Sequence, residues 1–324
     1  MSDDEARIPE ALRPGADDVE YDLAAALGAV VALRARIPED AFTAGVLGTE
    51  RAGHGVVVND AGLIVTIGYL VTEATEIWIV TARGQAVPGH LLAYDYETGF
   101  GLVQALGRLD GPVMPLGSAA GINVGDTLVL AGHGGASEAL RARVTARREF
   151  AGYWEYVLDD ALFTAPPHPN WGGAALIAPD GRLAGIGSLY VDQIVDDLPE
   201  VDGNMIVPID LLLPIIDELT RYGRTLKPAR PWLGVFVSAV DGHFVVAGTY
   251  DDGPAARAGL DAGDVVVSVA GVRPTTLADL FRALWTSGTA GCAVTLEIAR
   301  DDEIQAVRVD SVDRRDFWKG PELH

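Results

Sequence analysis

Residues 170–186 read Asn-Trp-Gly-Gly-Ala-Ala-Leu-Ile-Ala-Pro-Asp-Gly-Arg-Leu-Ala-Gly-Ile, and this stretch decides the fold class. Two β-prone runs, at 176–178 and 183–186, flank a Pro-Asp-Gly turn signal at 179–181. Short apolar runs on both sides of an Asp-Gly pair are typical of a β-hairpin. The stretch therefore predicts two antiparallel strands joined by a tight turn.

The same pattern continues toward the N-terminus. Residues 56–58 and 63–66 flank the turn sequence Asn-Asp-Ala-Gly at 59–62, which indicates a second hairpin. Further β-prone runs lie at 30–37, 77–80, 102–105 and 127–130. Many short strands at this spacing predict a sandwich or a barrel, so we expect a mainly β fold.

Breaks in these patterns divide the chain into segments. Residues 1–19 are polar and contain two prolines, so we expect a flexible N-terminal arm. A first domain is predicted at 20–226 and a second at 232–313, separated by the stiff Lys-Pro-Ala-Arg-Pro linker at 227–231. Residues 314–324 form a C-terminal tail without an assigned role.

Composition excludes several classes of function. The 324 residues carry a net charge of −22, which repels phosphate backbones, so no nucleic-acid partner is expected. Cys292 is the single cysteine, so the chain forms no intramolecular disulfide. The apolar run at 23–33 is too short to span a bilayer, so no membrane insertion is expected. The first residues are acidic and unlike a secretory signal, so the cytoplasm is the expected location.

Ordered segments between residues 50 and 190 carry recognisable motifs. They read Gly-His-Gly-Val-Val-Val at 53–58, Asp-Ala-Gly-Leu-Ile-Val-Thr at 60–66, Tyr-Asp-Tyr-Glu-Thr-Gly-Phe-Gly-Leu-Val at 94–103 and Pro-His-Pro-Asn-Trp-Gly-Gly-Ala-Ala at 167–175. In order and spacing they resemble GSGVII, DGYIVT, YDPETDLALL and NPGNSGGPL of the HtrA/Deg family of trypsin-like serine proteases. The resemblance implies a trypsin-like double β-barrel.

The same alignment of motifs implies that the catalytic triad is lost. Tyr69 stands where the family has its general-base histidine, Gly99 where it has the orienting aspartate, and Trp171 where it has the nucleophilic serine. An indole has only an N–H donor, a tyrosine titrates near pH 10, and glycine has no side chain. Serine-protease chemistry needs a nucleophile, a base and an acid, so we expect a degenerate, catalytically inactive site.

The loop around the lost nucleophile is expected to differ as well. The former oxyanion loop corresponds to Pro169, Asn170, Gly172 and Gly173. Pro169 replaces a glycine of the family and lacks an N–H, so one donor is absent. Tyr69 and Trp171 are expected to fill the space left by the triad, and an aromatic-lined ligand pocket is the alternative.

Other polar residues near these motifs are poor candidates to replace the lost catalytic residues. His54, His133 and His168 are placed in loops and Ser188 after the last matched strand, and each is more simply explained as a surface or loop residue. Three loop histidines are able in principle to bind a metal, but no H-E-x-x-H or paired C-x-x-C spacing supports it. We therefore predict no metal and no cofactor.

A second family signature follows the linker. Residues 232–235 read Trp-Leu-Gly-Val, 252–260 read Asp-Gly-Pro-Ala-Ala-Arg-Ala-Gly-Leu, and 262–271 read Ala-Gly-Asp-Val-Val-Val-Ser-Val-Ala-Gly. They resemble the PDZ domain of the same family, in which a peptide adds to a sheet edge and its terminal carboxylate meets loop N–H groups. The resemblance implies a peptide-binding site at Trp232, Leu233, Gly234, Val235, Leu280 and Leu284.

These expectations lead to one main hypothesis and two alternatives. The chain is expected to be an inactive HtrA-like homologue that binds peptides or protein C-termini as a scaffold, acts like a chaperone, or modulates an active relative. The alternatives are a serine-type endopeptidase that uses other residues and a small-ligand or metal sensor at the former cleft. The resemblance also implies a homo-oligomer, a trimer by family habit, and a periplasmic location as the alternative to the cytoplasm.

Overall fold

The computed structural model describes residues 7–192, 194, 201–301 and 303–319, and it confirms the mainly β fold expected from the sequence. Its described residues divide into two units. The first contains the residues before Glu149, those from Asp160 to Thr225, and Lys319. The second contains Glu149–Asp159 and Leu226–Trp318.

The first unit begins with a closed six-stranded barrel. Its strands are β1 (Val30–Arg36), β2 (Glu50–Val57), β3 (Leu63–Ile67), β4 (Glu76–Val80), β5 (Ala86–Tyr94) and β6 (Phe100–Ala105), in the order β1-β2-β3-β6-β5-β4. The predicted hairpin joins β2 and β3. Gly62 takes φ +78° in its turn, and the Asn59 side chain accepts a hydrogen bond from the Leu63 N–H at 3.0 Å.

A second closed barrel follows. Its strands are β7 (Thr127–Ala131), β8 (Ala139–Gly152), β9 (Tyr156–Ala165), β10 (Ala175–Ile177), β11 (Leu183–Val191) and β12 (Gly203–Pro208), in the order β10-β11-β12-β9-β8-β7. The β10–β11 hairpin is the one predicted from residues 176–186. Two six-stranded antiparallel barrels are the trypsin-like architecture that the motifs implied.

Few α-helices occur among the described residues of this unit. They are α1 (Leu23–Gly28), α2 (Ala44–Leu47) and α3 (Ile216–Tyr222). The helical spacing at 209–222 gives a 3-10 turn at Ile209–Leu211 and then α3, because Pro214 disfavours continuous helix at the residue before it. Gly223 caps α3 at φ +71°. In the described part of the chain, no helix has the length and apolarity needed to cross a bilayer.

The described part of the N-terminal segment differs from the flexible arm expected for residues 1–19. Residues 10–12 and 16–18 form 3-10 turns, and Ile8 is buried in the core of the second barrel. The Arg13 guanidinium donates two hydrogen bonds to the Ile8 carbonyl. Burial of one isoleucine within a polar segment explains why composition alone suggested a loose arm.

The second unit is one five-stranded antiparallel sheet with two helices. The strands, in sheet order, are β13 (Val235–Val240), β14 (His243–Thr249), β15 (Val265–Val269), β16 (Ala293–Arg300) and β17 (Glu303–Asp310), and the helices are α4 (Pro254–Arg257) and α5 (Leu277–Thr286). Thr276 caps α5 in a capping box with Asp279. The buried face of α5 carries Leu280, Phe281 and Leu284, which pack into the core of the sheet.

The division between units also differs from the predicted boundaries. Residues 149–159, the tip of the β8–β9 hairpin, fall inside the predicted first domain but belong to the second unit. Val157 explains this difference, because its side chain lies in the hydrophobic core of the second unit. The C-terminal tail packs there too, with the Phe317 ring 5.1 Å from the Trp232 ring.

Candidate functional site

The three residues that the motif resemblance places at the triad positions lie together in the first unit. Tyr69 is in a 3-10 turn directly after β3, and the Gly68 N–H of that turn donates to the Gly99 carbonyl at 2.7 Å. Trp171 is in the loop before β10, and its indole forms a hydrogen bond with the Tyr69 hydroxyl. The fold thus brings together the residues that the sequence placed at the former base, acid and nucleophile.

The Tyr69 hydroxyl links Trp171 and Ser188 through two hydrogen bonds. It donates to the Ser188 carbonyl at 2.8 Å. Because an indole only donates, the Trp171 N–H must point to the Tyr69 oxygen. Burial raises the pKa of Tyr69 well above its ordinary value, against the opposing effect of the Trp171 hydrogen bond. Tyr69 therefore stays protonated, and it is not a base at neutral pH.

Gly99 occupies a backbone conformation that residues with a side chain rarely adopt. Its φ is +88°, a region that L-residues with side chains rarely adopt. The turn is held without it, because Asp95 accepts hydrogen bonds from the Thr98 N–H and hydroxyl, and the Gly99 N–H donates to the Asp95 carbonyl at 2.7 Å. Restoring an aspartate here would strain the backbone.

Trp171 is partly exposed and lies beside a second aromatic ring. The Trp171 and Tyr190 ring centroids are 5.6 Å apart and tilted by 49°. The Tyr190 hydroxyl donates to Asp202 at 2.7 Å. The former cleft therefore has an aromatic surface at the position of the nucleophile.

Two main-chain N–H groups of the former oxyanion loop form hydrogen bonds within the fold, and a third position has no N–H. Pro169 has no N–H, and the Asn170 N–H donates to His168 Nδ1 at 3.0 Å. The Gly173 N–H donates to the Gly187 carbonyl at 2.9 Å. An oxyanion hole needs free N–H groups that converge on one point, and these donors are used elsewhere.

Gly173 shows why this loop keeps its glycines. Its φ is +81°, and a Cβ there would lie 1.9 Å from the His54 carbonyl oxygen. The loop is also joined to β2 by a hydrogen bond from the His54 N–H to the Gly172 carbonyl at 2.8 Å. Close approach of two backbones therefore requires glycine here.

The histidines near the cleft have structural hydrogen bonds. His168 accepts at Nδ1 from Asn170, so its Nε2 carries the proton and donates to the Glu138 carbonyl at 3.1 Å. His54 lies in β2 rather than in the expected loop, and it accepts at Nδ1 from the His133 N–H at 3.1 Å. Burial, with smaller contributions from the other two histidines, lowers the pKa of His54 to about 4.

These imidazoles therefore lack a free lone pair in the places where a base would need one. Both ring nitrogens of His168 are engaged, and the one acceptor nitrogen of neutral His54 is used by a backbone N–H. No group of three or more histidine, cysteine, aspartate or glutamate residues in the described ranges has the geometry to hold a metal ion.

A second candidate site lies at the start of β13 in the second unit. The N–H groups of Leu233, Gly234 and Val235 all point to one carboxylate, that of Glu155. The shortest bonds are 2.7 Å from Gly234 and 3.0 Å from Val235. Gly234 takes φ +73°, which lets successive N–H groups converge on one anion. The loop that was expected to bind the terminal carboxylate of a peptide thus binds the side-chain carboxylate of Glu155.

Glu155 is buried in this loop. Burial raises the pKa of its carboxyl from about 4.5 to about 7, while the loop N–H bonds and the charge of Arg314 act in the opposite direction. Tyr250 faces the same group, and its own pKa is raised by burial. The carboxylate is therefore well bound by N–H donors but poorly solvated.

The remaining residues expected at the peptide site are buried. Leu280 and Leu284 lie in the core of the unit together with Val157 from the hairpin tip. Trp232 is also buried, with its ring 5.5 Å from the ring of Tyr250. Sequence reasoning missed Glu155, because an acidic residue within an aromatic-rich turn has no motif of its own.

Comparisons with known proteins agree with this description. A trypsin-like peptidase domain model matches residues 53–186, and a PDZ domain model matches residues 231–310. A probable periplasmic serine endoprotease DegP-like of Pseudomonas fluorescens is 26% identical over 275 residues, covering 79% of this chain and 55% of the relative. A DegP-like protein of Halomonas elongata is 27% identical over 291 residues, covering 83% and 58%.

A plant relative and two solved structures are similar to this chain as well. Protease Do-like 1, chloroplastic, of Arabidopsis thaliana is 26% identical over 301 residues, covering 84% of this chain and 66% of the relative. The HtrA-type protease AlgW with decapeptide has a TM-score of 0.53 at 21% identity, covering 93% of this chain and 100% of that one. A serine endoprotease from Yersinia pestis has a TM-score of 0.52 at 22% identity, covering 91% and 99%.

These likenesses describe domains rather than whole proteins. The chain spans about 55–58% of the length of the DegP-like relatives from Pseudomonas fluorescens and Halomonas elongata. The likeness to the solved structures shows the fold. Together with the two barrels and the five-stranded sheet, they show that this chain consists of a trypsin-like peptidase domain and a PDZ domain, and that it is similar to HtrA-like serine proteases.

Proposed function

We propose that this protein is a catalytically inactive HtrA-like homologue that binds peptides or protein C-termini through its PDZ domain. It would act as a scaffold, in a chaperone-like role or by modulating an active relative. The observation that carries the proposal is the contrast between the two sites. The carboxylate-binding loop at 233–235 has three N–H groups bound to a carboxylate, whereas the triad positions hold Tyr69, Gly99 and Trp171.

Loss of catalysis is supported by more than the missing side chains. Tyr69 forms hydrogen bonds with Trp171 and with Ser188. These hydrogen-bonded side chains occupy the position of the former cleft. Pro169 removes a main-chain donor. The relatives are named as serine endoproteases, and fold alone does not transfer that activity to this chain.

Peptide binding is supported by the chemistry of the PDZ loop. Its amides converge on one anion, and β13 is an edge strand of the described sheet. An extended peptide with a free C-terminal carboxylate satisfies both features, because it adds to the edge and places its carboxylate in the loop.

The direct test is a pair of labelled peptides that differ only at the C-terminus. Fluorescence anisotropy of a decapeptide with a free apolar C-terminal residue is expected to rise on titration with the full chain. The same peptide with a C-terminal amide is expected to bind much more weakly, because the amide is uncharged. Equal binding of the two peptides would count against the proposed site.

The oligomeric state and the cellular compartment stay predictions, and each can be tested by one measurement. The homo-oligomer, a trimer by family habit, is tested by light scattering of the purified full chain. The cytoplasm is tested by cell fractionation against the periplasm, the compartment in the names of the DegP-like relatives.

A further inference from the structure

The hairpin tip at 149–159 lies along the PDZ groove in the manner of a ligand. The Val237 N–H donates to the Tyr153 carbonyl at 2.8 Å, and two residues back along β13 the Val235 N–H donates to the Glu155 side chain at 3.0 Å. Residue numbers rise from Tyr153 to Glu155 along the hairpin, while they fall from Val237 to Val235 along β13. One main-chain bond and one side-chain bond thus run antiparallel to the edge strand, in the direction that an added peptide strand takes.

The same segment supplies both kinds of contact that a C-terminal peptide needs. A peptide ligand pairs its backbone with the edge strand and places its carboxylate in the loop. Here the Tyr153 carbonyl pairs with the strand, and the Glu155 side chain takes the place of the terminal carboxylate. Leu233, Gly234 and Val235 are therefore engaged and not free for another carboxylate.

Side chains of the hairpin complete the likeness to a bound peptide. The Tyr153 ring lies 5.7 Å from the ring of Phe236 on β13. Val157 packs in the core that contains Leu280 and Leu284 of α5. One aromatic and one aliphatic side chain are thus bound on the two sides of the carboxylate.

We propose that residues 149–159 are a tethered internal ligand of the PDZ groove, which an external C-terminus must displace before it binds. The inference rests on the peptide-binding function proposed above. It adds that the groove is closed in the resting protein, and that ligand access is regulated by the release of this hairpin.

Several features favour release rather than permanent closure. Glu155 has φ +59°, a strained conformation for a residue with a side chain. Tyr153 is half exposed, at 49% of its surface. Arg282 pairs with Glu149 and Asp159 at the base of the tip, but these side chains are partly or largely exposed, so water screens the pairs.

Tethering keeps the groove closed although water screens these ion pairs. The internal ligand is part of the same chain, so its effective concentration reaches the millimolar range expected of short linkers. The apparent affinity for an external peptide is therefore the intrinsic affinity multiplied by the fraction of molecules in which the groove is open. Removing the internal carboxylate should raise that fraction.

The test compares peptide affinity in matched variants of the full chain. The probe is a labelled decapeptide ending in Tyr-Trp-Val with a free carboxylate, which keeps the aromatic residue at the place that Tyr153 occupies. The variant is Glu155→Ala, and the control is Glu303→Ala, which removes one exposed carboxylate from β17 of the same unit. Glu155→Gln keeps the side-chain volume if the alanine variant does not fold.

The expected result is an affinity at least about tenfold higher for Glu155→Ala than for the wild type, with Glu303→Ala unchanged. Equal affinity of Glu155→Ala and wild type for the peptide would overturn the internal ligand and leave peptide binding intact. Absence of binding to any folded variant, Glu155→Gln included, would overturn both, because the function on which the inference rests would fail.

Discussion

The hydrogen-bonded pair in the former active site gives a stability prediction that is separate from catalysis. Tyr69→Phe removes one hydroxyl and keeps the ring. Two partners lose their hydrogen bond, the Ser188 carbonyl at 2.8 Å and the Trp171 indole N–H. If the pair fills the old cleft as a structural element, the change must destabilise the first unit.

The magnitude follows from the cost of an unsatisfied buried polar group. Leaving such a group without its partner costs about 1–3 kcal/mol. Trp171 is partly exposed and regains some bonding to water, so we expect about 2 kcal/mol for the variant. For a unit of this size the melting temperature should fall by about 4–8 °C.

Differential scanning calorimetry of the full chain measures this change, read from the transition assigned to the first unit. Tyr222→Phe is the matched control, because Tyr222 belongs to the same unit and is 52% exposed. The control should stay within about 0.5 kcal/mol of the wild type. A Tyr69→Phe protein as stable as this control would refute the view that the pair fills and stabilises the cleft.

Two further predictions concern the loop glycine and the internal carboxylate. Gly173→Ala should cost at least about 2 kcal/mol more than Gly84→Ala in urea unfolding, because both have positive φ but only the first meets a main-chain oxygen, at 1.9 Å. Burial raises the pKa of the docked Glu155 side chain from about 4.5 to about 7, because desolvation disfavours the charged form more than the loop N–H bonds favour it. The docked state is therefore most stable below about pH 4.5, and it loses this stability as the pH rises through 7. Arg314 and Tyr250 face the same carboxyl. The peptide affinity of Glu155→Ala relative to wild type should therefore be about tenfold larger at pH 5.5 than at pH 8. A ratio that does not change between these pH values would contradict the assignment.

Much of the fold could be predicted because hairpins have local signals. The Asp-Gly turn at 180–181 and the Asn-Asp-Ala-Gly turn at 59–62 both join strands in the structure. Gly223 marks the end of α3, where it adopts φ +71°. Such turns depend on a few neighbouring residues, so they can be recognised without knowledge of the remaining chain.

The candidate sites could be predicted less fully from the sequence, because they depend on contacts between segments that are distant along the chain. Motif positions gave Tyr69, Gly99 and Trp171, but not the hydrogen bonds from Trp171 through Tyr69 to Ser188. Glu155 binds amides almost eighty positions away along the chain, and no local pattern records such a pairing. The buried Ile8 was missed for the same reason, since its burial depends on the second barrel.

Labelling of the purified full chain with a fluorophosphonate tests the central claim most directly, with trypsin as the active control. Intact-mass spectrometry should show the trypsin adduct and an unchanged mass for this protein, because position 171 carries an indole and the loop lacks an N–H donor at Pro169. A single adduct on one serine, Ser188 for example, would show a working nucleophile outside the triad positions. That result would contradict the account of an inactive first unit and favour a rewired hydrolase.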